Sequence, residues 1–203
     1  YVDKKTISFF VGWVFGFGYF ISNLYWITNS LTFDEQFKFL IPIAFLLIPL
    51  FLGLFYGLAT FFCFFFKLEN NFSSILIFAT ILSVTEFLRG SILGGFPWNL
   101  HAFSFVGYIS FLQSLSFFGT YAFNLLSITI FIFPAIFFSK KNVKLKLLSS
   151  ALLLTLLLLN YVYGLSTINN YNQNQNIRIN DTIKIVSPKI EINRFFQTEV
   201  SSS

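Results

Sequence analysis

The chain has 203 residues, of which 56% are hydrophobic, 22% aromatic and only 10% charged, with a net charge of +5. So few charges cannot furnish the polar shell of a soluble domain, in which about a quarter of residues are charged. With a mean hydropathy of +0.74, the composition excludes a disordered chain, a disulfide scaffold and an ordinary cytosolic enzyme, and it points to an all-α polytopic membrane bundle.

The basic residues gather at the ends of apolar runs, as in membrane proteins, so the positive charge gives no nucleic-acid footprint. There is no methionine, and the chain is expected to be a fragment of a longer protein. A single cysteine, Cys63, sits within a run of phenylalanines. It reads as a small buried hydrophobe and not as a reactive thiolate.

Five apolar stretches are long enough to cross a bilayer, which takes about 20 helical residues. The first, residues 7–27, follows Lys4 and Lys5 and is not followed by the small-residue cleavage site of a signal peptide. The second, residues 39–66, contains Pro42 and Pro49 and is expected to tilt or kink. The third spans 72–88 and carries Glu86 near its end; the fourth spans 108–138, with Pro134 favouring a kink or early stop; the fifth spans 147–166. Gly12 with Gly16, and Gly53 with Gly57, have the spacing that lets membrane helices approach closely.

The loop 139–146 holds four lysines and no acid, which assigns it to the cytoplasmic side. Alternation then puts Lys4 and Lys5 inside as well, and Asp34 and Glu35 outside. The loop after the third segment and the tail after the fifth share the outer face. In that tail, residues 167–182 read as a polar linker rich in Asn and Gln. Ile183-Lys184-Ile185-Val186 then alternates like a strand and ends at Ser187-Pro188. A lone strand is unstable, so residues 183–203 read as the start of a soluble domain.

The region 85–101 holds the residues that could carry chemistry. Glu86 and Arg89 lie three apart on one helical face, so they can pair. Alternatively, the Arg89 guanidinium meets a lipid phosphate at the outer interface. Gly94-Gly95-Phe96-Pro97-Trp98 cannot continue a helix. Trp98 is either an aromatic-belt residue or part of an interfacial loop shaping a lipid-access groove. His101, the only histidine, reads as a surface residue near the interface, with no second ligand at metal spacing. Gln113 and Asn124 are expected to hydrogen-bond across helices. Ser22, Asn23, Tyr25, Trp26, Thr28, Asn29 and Ser30 collect at the outer end of the first segment, on the Trp98 side. No phosphate loop, serine triad or zinc spacing is present, and no cofactor is indicated.

These residues resemble a known family. Phe15-Gly16-Phe17-Gly18-Tyr19-Phe20 with Leu24-Tyr25-Trp26-Ile27 is similar to the early membrane signature of bacterial apolipoprotein N-acyltransferases. Glu86-Phe87-Leu88-Arg89-Gly90, followed by Gly95-Phe96-Pro97-Trp98-Asn99-Leu100, resembles that family's most specific membrane motif. Gly107-Tyr108, Gln113 and Gly119 fit its next helix, and residues 183–188 resemble the opening strand of its α/β nitrilase-like (carbon-nitrogen hydrolase) domain. Where the family often has Gln-Pro-Asn, this chain has Ser187-Pro188-Lys189.

The resemblance implies a multi-pass inner-membrane acyltransferase. Such an enzyme takes an acyl chain from a phospholipid donor and holds it as a thioester on a cysteine of the periplasmic domain. It then passes the chain to the N-terminal amine of a diacylglyceryl lipoprotein acceptor. A Glu-Lys-Cys triad does this work. All three positions would lie beyond Ser203, so no catalytic residue is assigned within the chain, and neither Glu86 nor Cys63 is a triad member. The chain alone is expected to be inactive. Glu86, Arg89, Phe96, Pro97 and Trp98 are the candidate substrate-binding residues, with Arg89, Phe96 and Trp98 lining a lateral path for acyl chains. A small transporter and a membrane scaffold are the competing readings. Scarce intramembrane charge and the lack of an internal repeat speak against the transporter.

Overall fold

The computed structural model describes residues 4–66, 68, 71–92, 95–138 and 142–174. They are helical, and no strand occurs among the described residues. Residues 183–203, with the expected strand, lie outside them.

The first helix, α1, runs over Lys5–Leu24 and continues as a 3₁₀ stretch, Tyr25–Thr32. A second 3₁₀ stretch, Glu35–Leu40, opens with the Asp34 carboxylate accepting from Gln36 N and leads into α2, Ile41–Phe64. Pro42 falls in the first turn of α2, where its missing N–H has no intrahelical partner to lose. Pro49 lies inside that helix. Helix α3, Phe72–Ser91, is capped by the Asn71 side chain, which accepts from Ser74 N at 2.8 Å.

Residues 95–100 are irregular and are followed by a 3₁₀ turn at His101–Phe105. The stretch read as one long fourth segment is broken. Two one-turn helices, α4 (Ile109–Leu112) and α5 (Leu115–Phe118), precede α6, Thr120–Ile132. The break falls at Gly119, whose φ of 79° a residue with a Cβ seldom adopts. At Pro134 the α-helix gives way to a 3₁₀ stretch, Phe133–Phe138, because proline supplies no N–H to the ladder.

Helix α7, Val143–Asn174, has 32 residues and is therefore about 48 Å long, well beyond the ~30 Å hydrocarbon core. It runs through the first part of the stretch expected to be a linker. No glycine or proline interrupts it between Gly164 and Asn174, and Asn and Gln are tolerated where it leaves the apolar layer.

Five spans are long and apolar enough to cross a membrane: Lys5–Thr32, Glu35–Phe64, Phe72–Ser91, Thr120–Phe138 and Val143–Gln173. The tightest pairing is α1 with α2, at the expected glycines. A Cβ on Gly16 would stand 2.9 Å from the Gly53 Cα, and one on Gly53 would stand 2.9 Å from the Phe17 backbone nitrogen. The main core gathers Phe20, Leu24, Leu52, Tyr56, Ala59, Ala79, Leu82 and Ile128 from α1, α2, α3 and α6. Helix α7 docks through Gly164, on which a Cβ would lie 1.7 Å from Ser110 O. Most of its leucines are exposed, as lipid-facing residues are.

Candidate functional site: a buried carboxylate beside an interfacial bend

Glu86 has no solvent exposure and lies where α1, α2, α3 and α6 converge. Such a carboxylate persists in a membrane bundle only if its oxygens are supplied with donors. Tyr56 Oη donates to Oε1 at 2.9 Å, and Asn124 Nδ2 donates to Oε2 at 2.5 Å. His101 Nδ1 lies 3.2 Å from Oε1, and Arg89 Nη2 lies 3.8 Å from the same oxygen. The carboxylate thus collects residues from four parts of the chain.

The same cluster fixes the segment that follows α3. Asn124 Oδ1 accepts from Ala102 N at 3.0 Å. Tyr19 Oη donates to Asn99 O at 2.9 Å, at the residue whose φ of 57° turns the chain. The Tyr19 ring lies on the His101 imidazole, with centroids 5.5 Å apart and planes 9° apart. Phe96 N donates to Arg89 O at 2.9 Å. Gly95, at φ 75°, passes so close to α3 that a Cβ there would lie 2.5 Å from Gly90 O. Gly90 in turn faces Tyr121, whose hydroxyl a Cβ would meet at 2.0 Å.

From this base Phe96 and Trp98 project together, with ring centroids 5.7 Å apart. Trp98 stacks on Trp26 at 5.0 Å and 14°, and both indoles are partly exposed. The polar end of the first segment, at Trp26, and the Trp98 bend therefore do meet.

Arg89 is 1% exposed, yet its Nε, Nη1 and Nη2 have no hydrogen-bond acceptor among the described residues. Its guanidinium carbon sits 4.9 Å from the Phe20 ring centre, a cation–π contact. Arg89 also lines an open groove of about 510 Å³ whose other walls include Ile27, Ile48, Phe51 and Phe96. A second groove of about 570 Å³, between α5, α6 and α7, has no charged lining residue and stands apart from the cluster. Among the described residues no group of three metal-ligating side chains occurs.

Glu86, Arg89, Phe96, Pro97 and Trp98 are thus brought into one region. The Glu86–Arg89 proximity is as expected from the spacing, but at 3.8 Å it is an ion pair without a hydrogen bond. Asn124 bonds across helices, whereas Gln113 donates to Ile109 O in its own turn at 3.3 Å. His101 is not the surface residue expected. It is pulled onto Glu86 and Tyr19 because the 3₁₀ turn carrying it is tied to Asn124. Tyr19 and Tyr56 escape a reading of the sequence, since neither stands near Glu86 in the chain. The available signal was a lone membrane carboxylate that needs donors, with few polar side chains in the helices to supply them.

A helical membrane unit with a buried, charge-bearing cluster beneath an aromatic bend is the class these features define. The model of the apolipoprotein N-acyltransferase N-terminal domain matches residues 2–133. This chain belongs to that family and is, accordingly, part of a multi-pass inner-membrane protein. It is 33% identical over 149 residues to the apolipoprotein N-acyltransferase of Allorhizobium ampelinum, covering 72% of this chain and 28% of that protein. Identity to the Brucella melitensis enzyme is 38% over 129 residues, covering 62% and 24% respectively. With the Agrobacterium fabrum enzyme it is 30% over 193 residues, covering 92% and 34%. The chain therefore spans about a quarter to a third of the length of these relatives. No solved structure matches it.

Proposed function

We propose that this chain is the membrane-embedded part of an enzyme that N-acylates lipoproteins. In that reaction a cysteine thiolate attacks the ester carbonyl of a phospholipid, forming a thioester and releasing a lysophospholipid. The α-amino group of the lipoprotein's diacylglyceryl-cysteine then attacks the thioester. An amide forms and the thiol is regenerated. Glutamate serves as base and lysine stabilises the oxyanion in this scheme. The triad belongs to the nitrilase-like domain of such an enzyme, and the described helices supply none of its three groups. The tail after α7 is extracytoplasmic, consistent with the four lysines of loop 139–146 on the opposite side.

The observation that carries this reading is the family match over 2–133 falling on the residues that build the Glu86 cluster and the Phe96–Trp98 bend. Within it Glu86 and Pro97 act as positioning residues: Glu86 is sealed off with both oxygens supplied. Arg89, Phe96 and Trp98 line the acyl path. Depletion of the intact gene product, followed by mass spectrometry of lipoprotein N-termini, should show loss of the N-acyl chain. Persistent triacylation refutes the assignment.

A further inference from the structure

We infer that the groove between the first turns of α3 and α7 seats one anionic phospholipid of the leaflet on the lysine-rich side, its headgroup held by Lys144 and Lys146 and an acyl chain lying along α7. The inference goes beyond the acyl-transfer reading and does not depend on it, because this groove lies at the opposite end of α3 from Arg89 and the Trp98 bend. Charge carries it first. Between residues 139 and 146 the chain has four lysines and no acid, and the stretch 67–71 adds Lys67 and Glu69, which cancel. Neither α3 nor α7 has an acidic residue in its first turn, so the lysines meet two helix ends that are themselves partly positive. A basic recess between membrane helices on this side attracts anionic headgroups, by about fivefold for each lysine near the lipid surface.

Geometry carries it second. The groove holds about 450 Å³, and its walls include Phe72 and Ser73 from the start of α3, Ile136, and Lys146, Leu148 and Leu152 from α7. That volume lies within the ~300–1,000 Å³ of ordinary ligand pockets. Lys146 Nζ donates to Phe137 O at 3.2 Å, which holds the ammonium at the groove's edge. Asn142 Oδ1 accepts from Lys144 N at 3.0 Å, fixing the turn that carries the second lysine, and Lys144 itself is exposed. The polar rim then gives way to hydrocarbon. Leu148 and Leu152, 67% and 51% exposed, continue the wall along α7 into the lipid-facing surface. A cationic rim above an apolar trough complements an anion joined to an acyl chain. A free phosphate would use the lysines and leave the trough empty, so the trough selects the lipid.

The test uses the full-length protein, delipidated in detergent and examined by native mass spectrometry. The additions are ether-linked phosphatidylglycerol, ether-linked phosphatidylcholine and inorganic phosphate; the ether linkage keeps either lipid from being consumed by acyl transfer. The unaltered protein should retain phosphatidylglycerol at least about tenfold better than the zwitterionic lipid or inorganic phosphate. The pair K144Q and K146Q should lower retention of phosphatidylglycerol about fivefold per lysine and leave phosphatidylcholine unchanged. The pair K144R and K146R, which keeps the charge, should retain it. L148W, which fills the trough at an exposed site without altering charge, should also lower retention of phosphatidylglycerol. Equal retention of the two lipids by the unaltered protein overturns the inference, as does inorganic phosphate binding as tightly as the lipid. A loss in the arginine pair as large as in the glutamine pair overturns it too, since charge is then not what the groove reads. Wild-type retention by L148W overturns it even if the glutamine pair does not fold.

Discussion

Asn124 and Glu86 join α6 to α3 through a side-chain hydrogen bond that neither solvent nor lipid reaches, both residues being 0% exposed. The amide also accepts from Ala102 N, so one side chain serves a carboxylate and a backbone donor together. Replacing Asn124 by Leu strips Glu86 of a donor and leaves the Ala102 N–H unpaired. The expected loss is about 1–3 kcal/mol, the penalty for an unsatisfied buried group. Interhelical hydrogen bonds in membranes average near ~0.6 kcal/mol because the reference state finds other partners, but the Glu86 carboxyl group is fully enclosed, with no solvent to replace a lost donor. Thermal unfolding of the detergent-solubilised protein should show a clear fall in midpoint; an unchanged midpoint would remove Asn124 from the cluster.

The α1–α2 seam makes a different prediction. A Cβ on Gly12 would stand 2.1 Å from Thr60 Oγ1 and 2.5 Å from Tyr56 O, whereas Gly18 on the same helix has nothing within 4 Å. Gly12→Leu should therefore force the helices apart and abolish monodisperse elution. Gly18→Ala should be neutral or stabilising by up to ~1 kcal/mol, through helix propensity. Fluorescence-detected size exclusion of tagged variants distinguishes them. Equal behaviour of the two would mean that the seam does not set the packing.

The glycine seam was legible because its residues recur on one helical face and small size is itself the signal. The five apolar spans were legible for the same reason, since length and hydropathy are local properties. The break at Gly119 was not. A single glycine within an apolar run is common in membrane helices, and only its φ of 79° reveals that the chain turns there. The place of His101 is not legible in the sequence, because its partners, Glu86 and Tyr19, come from α3 and α1, and no spacing rule spans the bend between them. The pairing of Glu86 with Arg89 followed from helical geometry. That Tyr56 and Asn124, and not Arg89, make the hydrogen bonds depends on tertiary packing.

Gly95 is the hinge on which the bend depends. At φ 75° it occupies a region that disfavours any side chain, and a Cβ would lie 2.5 Å from Gly90 O. Gly95→Ala combines left-handed strain, ~1–2 kcal/mol, with a collision against backbone that cannot move aside. The bend should shift and carry Phe96 with it, breaking the Phe96 N to Arg89 O hydrogen bond. Tryptophan emission should shift as the Trp98–Trp26 stack loosens, and acyl transfer by the full-length protein should fall. Wild-type emission together with wild-type transfer would show that the segment tolerates the change.

Trp98 and Trp26 test whether the aromatic platform acts as a unit. The indoles are stacked at 5.0 Å and 14°, and they come from separate parts of the chain, one after α1 and one after α3. Trp98 also touches Phe96, which lines the Arg89 groove, so loss of either indole should loosen the same wall. Trp98→Ala should lower kcat/KM for acyl transfer by about tenfold, and Trp26→Ala by a similar factor, if each removes the same stacked contact. Aromatic pairs contribute ~0.5–1.5 kcal/mol beyond simple burial. The double variant should therefore fall short of the sum by about that coupling energy. Fully additive effects would mean that the indoles act separately. Unchanged transfer by Trp98→Ala would mean that the platform takes no part in presenting the acyl chain.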